Sequence, residues 1–446
     1  MIVLFPSCAF LSEVTRMIAL HEALRSRGEQ VRMATHGGPY EDVLRDEGIA
    51  YDLVAPTMNA ARCHALVRSV PGVSPVDVPL YSEAEVRAHV AAEVAYLREN
   101  SARAVVSGYT LTTLLSSRVA NIPLVTDHAG SFVGPAMDRG LVPAPMRSPV
   151  PLLRFFPEVL RRFFANQGPM RVKHFGKELN QVAAELGVEG VPSLAALLSG
   201  DLTLVTDIPE MVGISKEELE GWVPKVPAAF RSGTTMRYTG PLFANLSCEV
   251  PPEVARFLER ARPRPLVYVA ITSSSPELVR HAVAAARSAG ARVIVASTAH
   301  VLDDLACEDV CVAKLLPSAE IFRHVDLGII AGGQGSVQTA LACGAPFVGL
   351  PLQPEQDWNV VCAERVGAAV RVDPRRASGP ELSKAVRTLL VGETATRARA
   401  AAGRIRDLFA NVDGPARAAE AIVEYLAARA PHPAVRQAER TTAISP

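Results

Sequence analysis

Residues 329–359 read IIAGGQGSVQTALACGAPFVGLPLQPEQDWN, an order of side chains suited to holding phosphate. Two apolar runs, Val325–Ile330 and Phe347–Leu350, bracket a glycine-rich turn and a short helix. In a strand–turn–helix unit the free N–H groups of the helix's first turn point back at the strand end. The helix dipole adds partial positive charge there. Glycine lets the backbone approach an anion without a Cβ in the way. Gly333, Gln334, Gly335 and Ser336 could thus offer N–H groups and one hydroxyl to a diphosphate.

Several ligands compete for such a turn. A dinucleotide fingerprint, GxGxxG, is met by Gly333 and Gly335 but fails at Gln338. Glu355, twenty residues beyond Gly335, has the spacing of a ribose-binding acid. A Walker loop is excluded, because no GK[ST] occurs. A plain tight turn without a ligand and a nucleotide-sugar site remain.

The elements that must position this turn alternate along the chain. Strand-like runs at the N-terminal MIVLF, Gln30–Ala34, Ala50–Val54, Ala102–Ser107 and Ile122–Thr126 are separated by helical patterns, the first over Glu13–Arg27. That rhythm implies right-handed βαβ units and a parallel sheet. Residues 129–200 interrupt it with prolines, among them Pro135, Pro143, Pro145, Pro149 and Pro151, and longer helical patterns, Pro151–Ala165 and Met170–Leu186. Long insertions after strand ends usually build a ligand site. A linker, GPLFANLSCEVPP, precedes a second alternating set over Leu266–Val372. The expected division is 1–240 as an N-terminal domain, 241–252 as linker, 253–412 as a C-terminal domain, 413–429 as a final helix crossing back, and 430–446 as a disordered tail.

The chain has 446 residues, with 46 acidic and 46 basic side chains. A balanced charge gives no global field for nucleic acid or an anionic membrane. No apolar run approaches the roughly 18–20 residues that span a bilayer. Seven scattered cysteines without a CxxC fit reduced thiols in a cytoplasmic protein.

The stretch 310–372 resembles the family 1 glycosyltransferases of the two-domain GT-B fold, especially the bacterial macrolide and antibiotic branch. That family's donor motif runs P-Q, a short helix, a D-L-x-x strand, H-G-G-x-G-[ST], L-x-x-G-x-P, then P-x-x-x-[DE]-Q-x-x-N. The chain has LLPSAEIFRHVDLGIIAGGQGSVQTALACGAPFVGLPLQPEQDWN in the same order and spacing. Weaker likeness covers the start to about Leu53, strand 102–107, MRYTGPLF and LVYVAITSSSP.

The resemblance implies an α/β GT-B fold: two facing Rossmann-like domains with parallel sheets and a deep cleft between them. It implies a glycosyltransferase moving a sugar from a nucleoside diphosphate donor to a small acceptor in specialised metabolism, inverting and metal-independent, with no further cofactor. It assigns Gly333, Gln334, Gly335 and Ser336 to the diphosphate, with Ser273 and Ser274 facing it. Glu355 and Gln356 would hydrogen-bond the donor sugar, since a carboxylate accepts from two hydroxyls while an amide both donates and accepts. Asn359 would hold the loop or reach a phosphate. Leu315, Leu316 and Ser318 would line the base. Neither nucleic acid nor a membrane span is implied, and a homodimer is admitted.

Two departures carry weight. The family's histidine before G-G is Ala331 here, so a compensating cation is expected, with Arg231 and Arg237 as candidates. The family's catalytic histidine falls on Glu13, beside Ser12, and its orienting aspartate near Ser107 and Gly108. The base is then sought at Glu13, whose anion a helix start favours, or at Asp127 and His128 just past a strand. His36 and His64 rank below them. An acidic acceptor such as a thiol would need less help. A silent nucleotide-sugar-binding partner of another transferase is the alternative.

Overall fold

The computed structural model describes residues 1–69, 79–146, 152, 155–244, 246, 249–260, 264–271, 274–297, 300–314 and 316–429. The expected disordered tail, Ser273 and Leu315 lie outside the described residues.

Short β-branched runs buried on both faces make parallel sheets, because helices must cover each side. The first sheet comprises β1 (Ile2–Leu4), β2 (Val31–Thr35), β3 (Tyr51–Leu53), β4 (Ala104–Ser107), β5 (Leu124–His128), β6 (Leu202–Val205) and β7 (Thr235–Tyr238). Its order is β3-β2-β1-β4-β5-β6-β7, with every pairing parallel. The second holds β8 (Leu266–Ala270), β9 (Arg292–Ala296), β10 (Val310–Ala313), β11 (Leu327–Ile330), β12 (Phe347–Gly349) and β13 (Ala369–Arg371) in the order β10-β9-β8-β11-β12-β13. In each sheet the order reverses once, between β1 and β4 and between β8 and β11. Such switch points open a crevice at the strands' carboxyl ends, where open α/β sheets bind ligands.

Alternate residues of β1, β4 and β5 enter two cores, one on each face of the first sheet. Ile2, Leu4, Ala104, Val106 and Val125 pack with Met17, Ile18 and Leu20 of the first helix, Leu11–Ser26. Val3, Val105 and Leu124 pack on the other side. The final helix, Gly414–Arg429, places Ala418, Ala419, Ile422 and Leu426 in the first of these cores, so the chain end belongs physically to the N-terminal sheet.

Three boundaries differ from the sequence reading. β5 runs on to His128, because Asp127 and His128 still pair with Leu204 and Val205 of β6. The helix expected over 151–165 spans Glu158–Gln167, with Pro157 just before it. Proline has a fixed φ and lacks an N–H, so it starts a helix well and continues one badly. The helix expected from Met170 begins at Lys177, after a single 3-10 turn at His174–Gly176. Among the described residues no helix is long and apolar enough to cross a membrane.

Candidate active site

Both switch points deliver polar groups to one place. After β1 the chain turns through Phe10, whose extended backbone starts the first helix without a side-chain cap. Glu13 therefore lies in that helix's first turn, 1% exposed. Its Oε1 accepts the backbone N–H of Gly108 at 3.0 Å and of Tyr109 at 2.8 Å, both just past β4. Its Oε2 is buried with no partner among the described residues.

Gly108 makes this arrangement possible. A Cβ there would stand 2.7 Å from Asp127 Oδ1 and 3.1 Å from the Glu13 carboxyl. The position nearest the family's aspartate is thus empty space, and a carboxylate from the next strand, Asp127, fills it. Asp127 Oδ2 accepts from Arg16 Nε in an ion pair, while its Oδ1 has no partner among the described residues. Glu13 and Arg16 lie three residues apart on the first helix, so both reach the same spot.

Burial pushes the Glu13 carboxyl up to about 7, and the nearby Asp127 charge adds to the rise. The Tyr109 N–H and Arg16 oppose it. Arg16 holds its charge: burial works against it, but Asp127 and Glu13 together raise its affinity for the proton.

Asp127 and His128 do not act on one face. Successive strand residues point to opposite sides of a sheet. His128 Nδ1 lies 2.7 Å from the Ala129 carbonyl, which only accepts, so Nδ1 carries the proton and Nε2 a bare lone pair. That Nε2 is buried without a partner among the described residues, and burial lowers the ring's proton affinity. The ring stacks on Phe132, which stacks on Trp358 of the C-terminal domain at 4.6 Å.

Across the cleft, β11 ends in the glycine turn. Gly332 adopts φ +93°, and a Cβ there would run into Val360 at 2.4 Å and the Gln356 carbonyl at 2.8 Å. Gly333 precedes the helix Gln334–Ala342, and its Cβ position meets nothing within 4 Å. At Gly335 the nearest atom to that position is Ser12 Cβ at 3.9 Å. Two helix N-termini therefore face one another, with Arg16 one turn behind.

The remaining site candidates divide by what their side chains already bind. Glu355 is raised by burial and steadied by the Asn359 amide, the Gln334 N–H and Arg16. Gln356 Oε1 accepts the Leu352 N–H at 2.8 Å. Asn359 donates to the Gly332 carbonyl at 3.1 Å and to Glu355, and accepts from Ser131 Oγ at 2.6 Å. Gln334 and Gln338 both donate to Thr206. Met146 N–H donates to Asp357 at 2.8 Å, and Arg365 to the Met211 carbonyl at 2.6 Å. These bonds join the two domains, so the cleft is held shut. A cavity of about 250 Å³ lies instead at the hinge, lined by Asp207, Tyr238, Asn411 and Arg417.

Ser274 is buried and donates to the Ile271 carbonyl at 2.8 Å. Ser336 is half-buried on the first turn of its helix. Leu316 is buried in the C-terminal core, and Ser318 Oγ meets the Tyr268 hydroxyl at 3.0 Å. His36 bonds Glu93 at 2.9 Å inside the N-terminal domain, and His64 is exposed on a helix.

The cation expected in place of the missing histidine is neither arginine named for it. Arg231 donates to the Leu114 carbonyl beside Arg118, and Arg237 to its neighbour Met236 beside Glu220. Arg16 holds the place near Glu355 that they do not reach. Sequence reading missed Arg16 and the room that Gly108 leaves for two carboxylates; the one available signal was the three-residue spacing from Glu13 to Arg16.

Residues 233–398 match the family model described as UDP-glucoronosyl and UDP-glucosyl transferase. A PGL/p-HBAD biosynthesis glycosyltransferase of Mycobacterium tuberculosis is 27% identical over 338 residues, 74% of this chain and 72% of the relative. The vancomycin aglycone glucosyltransferase of Amycolatopsis orientalis is 30% identical over 182 residues, 40% of this chain and 43% of its own. A spinosyn rhamnosyltransferase solved with thymidine diphosphate superposes with a TM-score of 0.62 at 18% identity, covering 96% of this chain and 100% of that one. The chain shares the fold of these solved glycosyltransferases, and the matched family model and the named relatives support a glycosyltransferase. Its relatives come from actinomycete antibiotic pathways and mycobacterial glycolipid biosynthesis.

Proposed function

We propose that the protein transfers a hexosyl or deoxyhexosyl group from a nucleoside diphosphate sugar to a hydroxyl or thiol of a small acceptor in antibiotic-type metabolism, with inversion and in the cytoplasm. The observation that carries this is the buried Glu13 carboxyl, pushed up to about 7 by burial and with one oxygen unpartnered among the described residues, on the helix whose Ser12 faces Gly335 of the glycine turn. A base is most effective when it titrates near the working pH.

In this reading Glu13 takes the acceptor's proton. The acceptor's oxygen or sulfur then attacks the anomeric carbon, and the bond from that carbon to the diphosphate breaks as the nucleoside diphosphate leaves with the electron pair. The N–H groups of 333–336, the facing helix N-terminus and Arg16 oppose the charge growing on the leaving group. Glu355 and Gln356 hold the donor sugar. The thymidine diphosphate in the spinosyn enzyme supports a deoxythymidine donor. Ser12 and Gly335 stand too close for a diphosphate to pass, so the lobes must part to admit it.

Calorimetric titration with UDP, dTDP, GDP and their sugars, on wild type and Glu355→Ala, tests this. One nucleotide sugar should bind, Glu355→Ala should weaken the sugar nucleotide more than the bare nucleotide, and free nucleotide should be released slowly. Binding of none of them would sink the reading.

A further inference from the structure

The insertion after β5 carries an exposed apolar surface. The helix Glu158–Gln167 reads EVLRRFFANQ. Val159 is 79% exposed, Phe155 70% and Phe163 52%, and Leu152, Leu160 and Phe164 are exposed beside them. A contiguous run of large apolar side chains at this exposure marks a surface that meets something apolar.

Its charge is as uneven as its polarity. The chain as a whole is neutral, yet residues 155–177 hold Arg161, Arg162, Arg171, Lys173 and Lys177 against the single acid Glu158. Among the described residues none of these five cations has a carboxylate partner. Elsewhere surface arginines are regularly paired, as at Arg87–Glu185 and Arg139–Glu218. Aromatic and aliphatic side chains bordered by unpaired cations suit the boundary of an anionic bilayer. A second copy would bring the same cations face to face.

The surface is also fastened to the cleft. Asn166 of this helix bonds the Val142 backbone in both directions, at 3.1 and 2.8 Å. Ala165 packs on the cluster that contains Phe132 and Trp358, the rings stacked beside His128.

We propose that the helix Glu158–Gln167 and its flanking cations dock the protein on an anionic lipid surface, beside the acceptor side of the cleft. Docking does not depend on the transfer reading, and the assay needs neither donor nor acceptor.

The test is flotation of the full chain with phosphatidylcholine vesicles and with vesicles containing about one third phosphatidylglycerol. Wild type should float with the anionic vesicles and at least about tenfold less with the neutral ones. Phe163→Ser/Phe164→Ser should abolish flotation, and Arg171→Glu/Lys173→Glu should lower it by about tenfold or more. These positions are exposed, so nucleotide affinity should stay within about twofold of wild type in both variants. No flotation of wild type at low salt would overturn the proposal. So would flotation that both double variants leave intact, or a dimer by light scattering that only the phenylalanine variant dissociates while vesicles stay bare.

Discussion

Replacing Glu13 with glutamine should separate catalysis from stability in opposite directions. The carboxyl ordinarily titrates at 4.5 and is raised to about 7 in the folded protein. A gap of that size is worth ~3 kcal/mol, since each pH unit of displacement is about 1.4 kcal/mol. The sign follows from linkage. An acid whose folded value is raised contributes stability that is present below the unfolded value and is lost as pH rises through the folded value. Ionised Glu13 thus costs the fold ~3 kcal/mol at pH 8, and under about 1 kcal/mol at pH 5. Glutamine keeps an oxygen for the Gly108 and Tyr109 N–H groups and offers an amide hydrogen to the unpartnered Asp127 Oδ1. Urea unfolding of the N-terminal domain should show Glu13→Gln more stable than wild type by about 2–3 kcal/mol at pH 8, with the gap closing towards pH 5. Transfer should meanwhile fall by about 10² to 10⁴ while nucleotide affinity holds. The wild-type rate should climb with pH and level off above about 7. A rate that levels off below 6.5 would fit His128, whose ring burial holds below that ordinary value. A glutamine variant less stable at pH 8, or one that still turns over with an unchanged pH profile, would refute the reasoning.

Three further changes probe the same cluster. Gly108→Ala puts a Cβ 2.7 Å from Asp127 Oδ1; it should cost about 1–3 kcal/mol by overpacking and cut kcat about 100-fold with the donor KM little changed, read from thermal melts and initial rates. Arg16→Gln removes the Asp127 partner and the cation beside Glu355; calorimetry should show nucleoside diphosphate affinity about tenfold weaker, and an unchanged affinity would take Arg16 out of the donor site. Ser131→Ala with Thr206→Val takes away bonds to Asn359 and Gln334 across the cleft; at ~1 kcal/mol each the lobes should open, seen as a larger radius of gyration by small-angle scattering.

The sequence was most readable where function is local. The glycine turn, its strand and the following helix lie within about thirty residues, so spacing alone placed Gly333–Ser336 at the mouth of a switch point. Rhythm was enough for the strands, because a parallel sheet buried on both faces leaves β-branched runs in the sequence. The cluster proposed for catalysis was legible only in part. Glu13 could be named as the place of the resembled family's histidine, but its partners come from elsewhere in the chain: Gly108 is 95 residues away by the hydrogen bond it makes, and Asp127 is 111 residues from Arg16. No periodicity links such positions. A glycine whose role is to leave room for two carboxylates has no signature at all. Asp127 and His128 looked like a pair because they are neighbours in sequence; the pleat of β5 parts them, one towards Glu13 and the other towards Phe132 and Trp358. At the point where the resemblance implies a histidine and an aspartate, the structure gathers other groups: the buried Glu13 carboxyl, raised by desolvation and by the Asp127 charge, and Arg16 paired with Asp127. A side chain at position 108 and the Asp127 carboxylate would need the same space, because a Cβ on Gly108 would stand 2.7 Å from Asp127 Oδ1.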